Sequence, residues 1–95
     1  MDKLPQNDID KRLEALNDWT QSADRLQRTY GFKDFVEAIA FVNKVANLAE
    51  ARQHHPDILV RFNKVTLTLS THDAGGITEK DFDLAAACDA IAAGG

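Results

Sequence analysis

The chain holds one cysteine, Cys88, among 95 residues. An intrachain disulfide is therefore excluded, and there is no cysteine cluster of the kind that binds structural zinc. Basic residues are in deficit, with 11 Lys and Arg against 15 Asp and Glu and a formal net charge of -4. A protein that tracks a nucleic-acid backbone or docks on anionic lipid needs a basic footprint, so no direct nucleic-acid or membrane partner is expected. The apolar runs are far too short to cross a bilayer. The opening MDKLPQNDID lacks the apolar core of a secretory signal, and the expected location is cytoplasmic. No repeat, nucleophile elbow, P-loop or dinucleotide fingerprint occurs. Proline occurs only twice and histidine three times, yet two histidines and a proline are consecutive in EARQHHPDILVRF, residues 50–62.

The rest of the composition is that of a globular chain, 44% hydrophobic and 27% charged, and its length suits a single domain over residues 1–95. Residues 7–17 carry Ile9, Leu13 and Leu16 at helical spacing, with Asn7 or Asp8 as cap. Residues 19–32 read as a strand pair turning at Ser22-Ala23-Asp24; Leu26, Tyr30 and Phe32 alternate on one face and Arg28 breaks the pattern. Residues 34–53 form the clearest helix. Asp34 and Glu37 make a D-x-x-E cap, and Phe35, Ile39, Val42, Ala46 and Ala49 form a stripe widened by Phe41, Val45 and Leu48. Pro56 stops this helix and pushes His55 out of the helical region. Two strands follow, DILVRF and VTLTLSTH, around a turn at Asn63-Lys64. Thr78 and Asp81 then cap a last helix bearing Leu84, Cys88 and Ile91. The expected fold is α+β: a four-stranded antiparallel sheet with three helices on one face, in the order α-β-β-α-β-β-α.

A turn at Asn63-Lys64 pairs Phe62 with Val65, Val60 with Leu67 and Ile58 with Leu69, apolar against apolar throughout. Carried further, the same register sets His55 opposite His72. Glu50 lies one helical turn before His54, where a carboxylate can orient an imidazole and favour its charged form. Glu50, His54, His55 and His72 thus form a cluster able to donate and accept protons near neutral pH. Three histidines and a carboxylate could also ligate zinc. However, adjacent histidines rarely aim at one ion and no H-E-x-x-H pattern is present, so no metal is expected. Asp81 reads as a helix cap before it reads as a catalyst, Cys88 and Trp19 as core residues, and Gly75-Gly76 as a turn.

These residues resemble the pterin-4a-carbinolamine dehydratase family. The likeness rests on E-A-R-Q-H-H-P, then Phe62, His72 and Asp81 at fixed spacings, and extends through GFKDFVEAIAFVNKVANLAE and NKVTLTLSTHDAGGIT. It departs at Ile58, where many members carry an aromatic, and at Phe62, where many carry tyrosine. The resemblance implies dehydration of 4a-hydroxytetrahydropterin, the product of a pterin-dependent aromatic amino acid hydroxylase, with neither metal nor organic cofactor. It implies assembly as a homodimer or homotetramer. It assigns catalysis to His54, His55 and His72, support to Glu50 and Asp81, and pterin contacts to Gln53, Ser70, Thr71 and Asp73. Acid or base fits each imidazole. The family also contains non-enzymatic members, a dimerisation cofactor of a homeodomain transcription factor and assembly factors of a carboxylase; the complete histidine set argues against a purely non-enzymatic role.

Overall fold

The computed structural model describes residues 2–94. Helix α1 spans Gln6–Leu13, strands β1 and β2 Thr20–Ser22 and Arg25–Gly31, and helix α2 Phe35–Arg52. Strands β3 and β4 span Asp57–Arg61 and Lys64–Leu69, a 3-10 turn His72–Ala74, and helix α3 Glu79–Ala92. The four strands form one antiparallel sheet in the order β1-β2-β4-β3. The expected order α-β-β-α-β-β-α is the one observed.

Alternation in β4 determines which face the helices cover. Val65, Leu67 and Leu69 are buried on one face, and Thr66 and Thr68 lie on the other. On β2 the register aligns Leu26 with Leu69, Arg28 with Leu67 and Tyr30 with Val65. Arg28 therefore shares the covered face, and the alternation is unbroken. Its guanidinium lies 4.2 Å from the Tyr30 ring centroid and forms a 2.8 Å ion pair with Asp89 of α3. Asp89 also accepts hydrogen bonds from Trp19 Nε1 at 3.0 Å and from the Tyr30 hydroxyl. One carboxylate thus satisfies the polar atoms of two buried aromatics and an arginine at the edge of the core.

Helix α2 begins as expected, with the Asp34 side chain accepting from the Glu37 N–H at 2.9 Å. Its buried stripe is Ala38, Phe41, Val45 and Ala49, one step around from the expected one; Ile39 and Val42 are only half-buried, and Phe35 and Ala46 are exposed. Both stripes have helical spacing, and the sheet selects the one whose Phe41 meets Tyr30 and Phe32, at 4.7 and 5.0 Å between centroids. Helix α1 starts at Gln6 after Pro5, without a side-chain cap, so neither Asn7 nor Asp8 plays that part. Proline's fixed φ sets the entry there instead.

The β3–β4 turn also differs from expectation. Its two loop residues are Phe62 and Asn63, so Arg61 pairs with Lys64, Val60 with Val65 and Ile58 with Leu67. Asn63 is held by the neighbouring loop: its Nδ2 donates to the Phe32 carbonyl at 2.8 Å and its own carbonyl accepts from the Phe32 N–H at 2.9 Å. Phe62 takes the left-handed conformation, φ 52°, at a cost of about 1–2 kcal/mol. Each β3 residue sits two places along β4 from its expected partner, which leaves every side chain on its expected face. Strand β4 ends at Leu69 rather than running to His72, because Thr71 pairs with Gly76 across the 3-10 turn.

Burial pushes the Cys88 thiol from its ordinary 9.0 up to about 11, with the Asp89 charge adding to the effect. Burial, and then the hydrogen bond to Asp89, raises the Tyr30 hydroxyl as well. Both groups keep their protons longer in the folded chain than in the unfolded one. The Cys88 contribution to stability is therefore complete below pH 9 and is lost as pH rises toward 11, whereas that of Tyr30 begins to be lost only above pH 10 and persists beyond 11. Urea midpoints measured from about pH 8 to about pH 11 should fall, and the fall should be shallower in Cys88→Ala. A midpoint constant across that range would contradict the assignment.

Candidate active site

The adjacent histidines are separated by the way α2 ends. Gln53 turns left-handed, φ 53°, and its N–H donates to the Glu50 carbonyl while the His54 N–H donates to that of Ala49. This is a Schellman closure with glutamine where glycine is usual. It stops the helix before Pro56 is reached. His54 turns inward and His55 outward. His55 Nε2 bonds the Glu50 carboxylate, so Glu50 serves His55 rather than its helical neighbour His54.

His54 instead meets Asp81, with Nε2 2.6 Å from Oδ1. Asp81 is fully buried at the start of α3. Its Oδ2 accepts from the Thr78 N–H and from the Thr71 hydroxyl, both at 2.9 Å. Since the single Thr71 proton goes to the carboxylate, Thr71 accepts in turn from Thr78, 2.8 Å away, and Thr78 accepts from the Lys80 N–H. An ionised Asp81 fixes a proton on His54 Nε2 and leaves Nδ1 as the variable nitrogen. The cap and the imidazole partner are thus one residue.

A cavity of about 220 Å³ opens on the side of the sheet opposite the helices. Its floor is Thr68 and Ser70, the polar face of β4 continued past Leu69. Arg25 and Asp24 border it from the β1–β2 hairpin, Asp57 and His55 from the start of β3, and His72, Thr71 and Gly75 from the 3-10 turn. His55 and His72 therefore meet across a cavity, not by strand pairing. The His72 imidazole makes no hydrogen bond among the described residues. Gln53 and Asp73 do not line the cavity: the Gln53 side chain donates to the Glu50 carbonyl at 2.8 Å, and Asp73 is exposed on the turn. Ser70 lines it while donating to the Asp24 carbonyl at 3.1 Å.

Arg25, Asp24, Asp57 and Thr68 were not anticipated. Thr68 and Asp57 were visible as polar positions on the outward strand face, and only the β2–β4 pairing, remote in sequence, brings in Arg25. Two imidazoles, one with a carboxylate behind it, can give and take protons at one ligand. Among the described residues no three His, Cys, Asp or Glu side chains are grouped to hold a metal ion.

The family model for pterin 4 alpha carbinolamine dehydratase matches residues 2–91. A relative from Acidobacterium capsulatum, named "Putative pterin-4-alpha-carbinolamine dehydratase", is 53% identical over 91 residues, 96% of this chain and 99% of its own. One of the same name from Roseiflexus castenholzii is 56% identical over 84 residues, 88% of this chain and 90% of its own. Among solved structures, a transcriptional coactivator/pterin dehydratase from Brucella melitensis superposes with a TM-score of 0.92 at 34% identity, covering 96% of this chain and 99% of that one. A pterin dehydratase-like protein identified as a RuBisCO assembly factor in the alpha-carboxysome gives 0.65 at 27% identity, covering 78% and 86%. With a match across nearly its whole length and relatives above half identity, the chain belongs to the pterin 4 alpha carbinolamine dehydratase family.

Proposed function

We propose that the protein dehydrates 4a-hydroxytetrahydropterin to quinonoid dihydropterin and water. The observation that carries this reading is the pair of imidazoles, His55 and His72, on one cavity in a chain of this family. In the reaction the C4a–O bond breaks with its electron pair going to oxygen, which takes a proton and leaves as water. N5 loses its proton and the C4a=N5 double bond forms. One acid and one base suffice, and no electrons enter or leave. His55 and His72 border the cavity where both transfers would occur. Glu50 steadies the imidazolium form of His55. His54 completes the set through Asp81, whose other oxygen holds Thr71 on the cavity wall. The reaction restores the pterin of an aromatic amino acid hydroxylase, in the cytoplasm, with neither metal nor organic cofactor.

We also infer self-association as a dimer or tetramer. Edge strand β3 and its turn expose Ile58, Leu59 and Phe62, the last at 69%. An open apolar edge of this kind is normally covered, most simply by an identical one. A non-enzymatic role, such as the coactivator and assembly-factor roles of the two structural neighbours, is the second reading, and the same apolar edge favours it.

Purified protein should accelerate carbinolamine dehydration equally with and without EDTA, and His72→Ala should lower kcat about 10²- to 10⁴-fold. Loss of activity in EDTA with recovery on adding zinc would sink the metal-free mechanism, full activity in His72→Ala would remove His72 from catalysis, and no dehydration by the unaltered protein would favour the non-enzymatic role. Asp81→Asn keeps an acceptor for the cap but loses the anion. It should reduce stability by about 2–3 kcal/mol in urea titrations and slow dehydration at least about tenfold. Light scattering at micromolar concentration should give two or more chains per particle, and a monomer mass would refute self-association.

A further inference from the structure

We infer that Asp57 and Arg25 read the pyrimidine ring of the ligand, so that this pair selects a 2-amino-4-oxo ring over its 2-oxo counterpart. This rests on the function proposed above and adds the residues that would set its specificity. Asp57 pairs with Thr68, and Arg25 lies one place before Leu26, the partner of Leu69. The two residues therefore stand on the strands flanking β4, on its polar face, at one end of the sheet. Their backbones are separated by two strand spacings across the sheet, roughly 10 Å at about 4.8 Å each, and by two residues, about 7 Å, along it. Both border the cavity, yet neither side chain has an ion pair or hydrogen bond among the described residues, not even with the other. A cation and an anion that share a cavity and stay apart leave room for a group between them. That group should offer donors to one side and an acceptor to the other.

The 2-amino-4-oxopyrimidine edge has this character. Its N3–H and 2-amino hydrogens are parallel donors, which a carboxylate accepts in two-pronged fashion as it accepts a guanidinium. The adjoining carbonyl oxygen is an acceptor for Arg25. Asp24 is the other carboxylate on the cavity, but it sits in the β1–β2 turn. Asp57 is fixed by strand pairing and lies two residues from His55, about 7 Å along the strand. A bicyclic ring held at its pyrimidine end by Asp57 would thus extend its other ring toward His55 and His72.

Isothermal titration with 7,8-dihydropterin and with 7,8-dihydrolumazine, in which an oxo group replaces the 2-amino group, tests the assignment. The unaltered protein should bind the dihydropterin at least about tenfold more tightly, because the lumazine sets an oxygen against the Asp57 carboxylate. In Asp57→Asn the amide can donate to that oxygen, so the preference should vanish or reverse, and the lumazine binding itself shows that the variant is folded. Arg25→Gln should weaken both ligands about tenfold and leave the preference unchanged. Dihydropterin binding with an unaltered preference in Asp57→Asn, or undiminished affinity in Arg25→Gln, would overturn the inference while leaving the proposed function standing. Failure of the unaltered protein to bind either ring would overturn both.

Discussion

The Asp81 carboxylate joins the parts of this molecule that matter for its chemistry. It is a fully buried anion, a costly object unless every oxygen is well supplied. Here the supply comes from the first turn of α3 through the Thr78 N–H, from the end of the sheet through Thr71, and from the exit of α2 through His54. The partial positive charge of the α3 N-terminus favours the same anion. Three chain segments distant in sequence are thus held at one point. Losing any donor would leave charge uncompensated in a place water does not reach. The cavity wall at Thr71 inherits its rigidity from that requirement.

The same anion explains why the chain places two histidines side by side. Adjacent residues leaving a helix cannot easily face one ion or one ligand, and these do not. The left-handed Gln53 throws His54 under α2 toward Asp81 and sends His55 out to Glu50 and the cavity. Each imidazole acquires its own carboxylate, one buried and one exposed. The third, His72, stands on a short turn closed by Thr71 and Gly76, with no carboxylate of its own among the described residues. Three residues of one type thereby occupy three different electrostatic settings.

Much of this was legible beforehand because it depends on local spacing. The helix caps at Asp34 and Thr78, the alternation of β4 and the order of elements follow from neighbours a few residues apart. The features that escaped depend on contacts across the fold. The β3–β4 turn was displaced because Asn63 is recruited by Phe32, thirty-one positions away in sequence. Arg28 looked like an interruption because Asp89, which neutralises it, comes from α3. Glu50 seemed matched to His54 at helical spacing, but the helix had already ended before that spacing could apply. The faces survived the register error only because it moved each partner by two places; a shift of one would have turned Ile58 and Val60 outward.

The sheet separates two kinds of chemistry. Its helix side holds the core, the Asp89 cluster and the His54–Asp81 pair, where charges are fixed by neighbours and little water enters. Its open side carries threonines, a glutamine and the cavity, where Arg25, Asp57 and His72 have no side-chain partners among the described residues. Thr71 stands between them: its hydroxyl belongs to the buried network and its flank to the cavity. A ligand on the open face thus meets unpaired polar groups whose strands are held in place by bonds it never touches. In this fold, preorganisation comes from the covered face, and capacity for binding comes from leaving the other face uncovered.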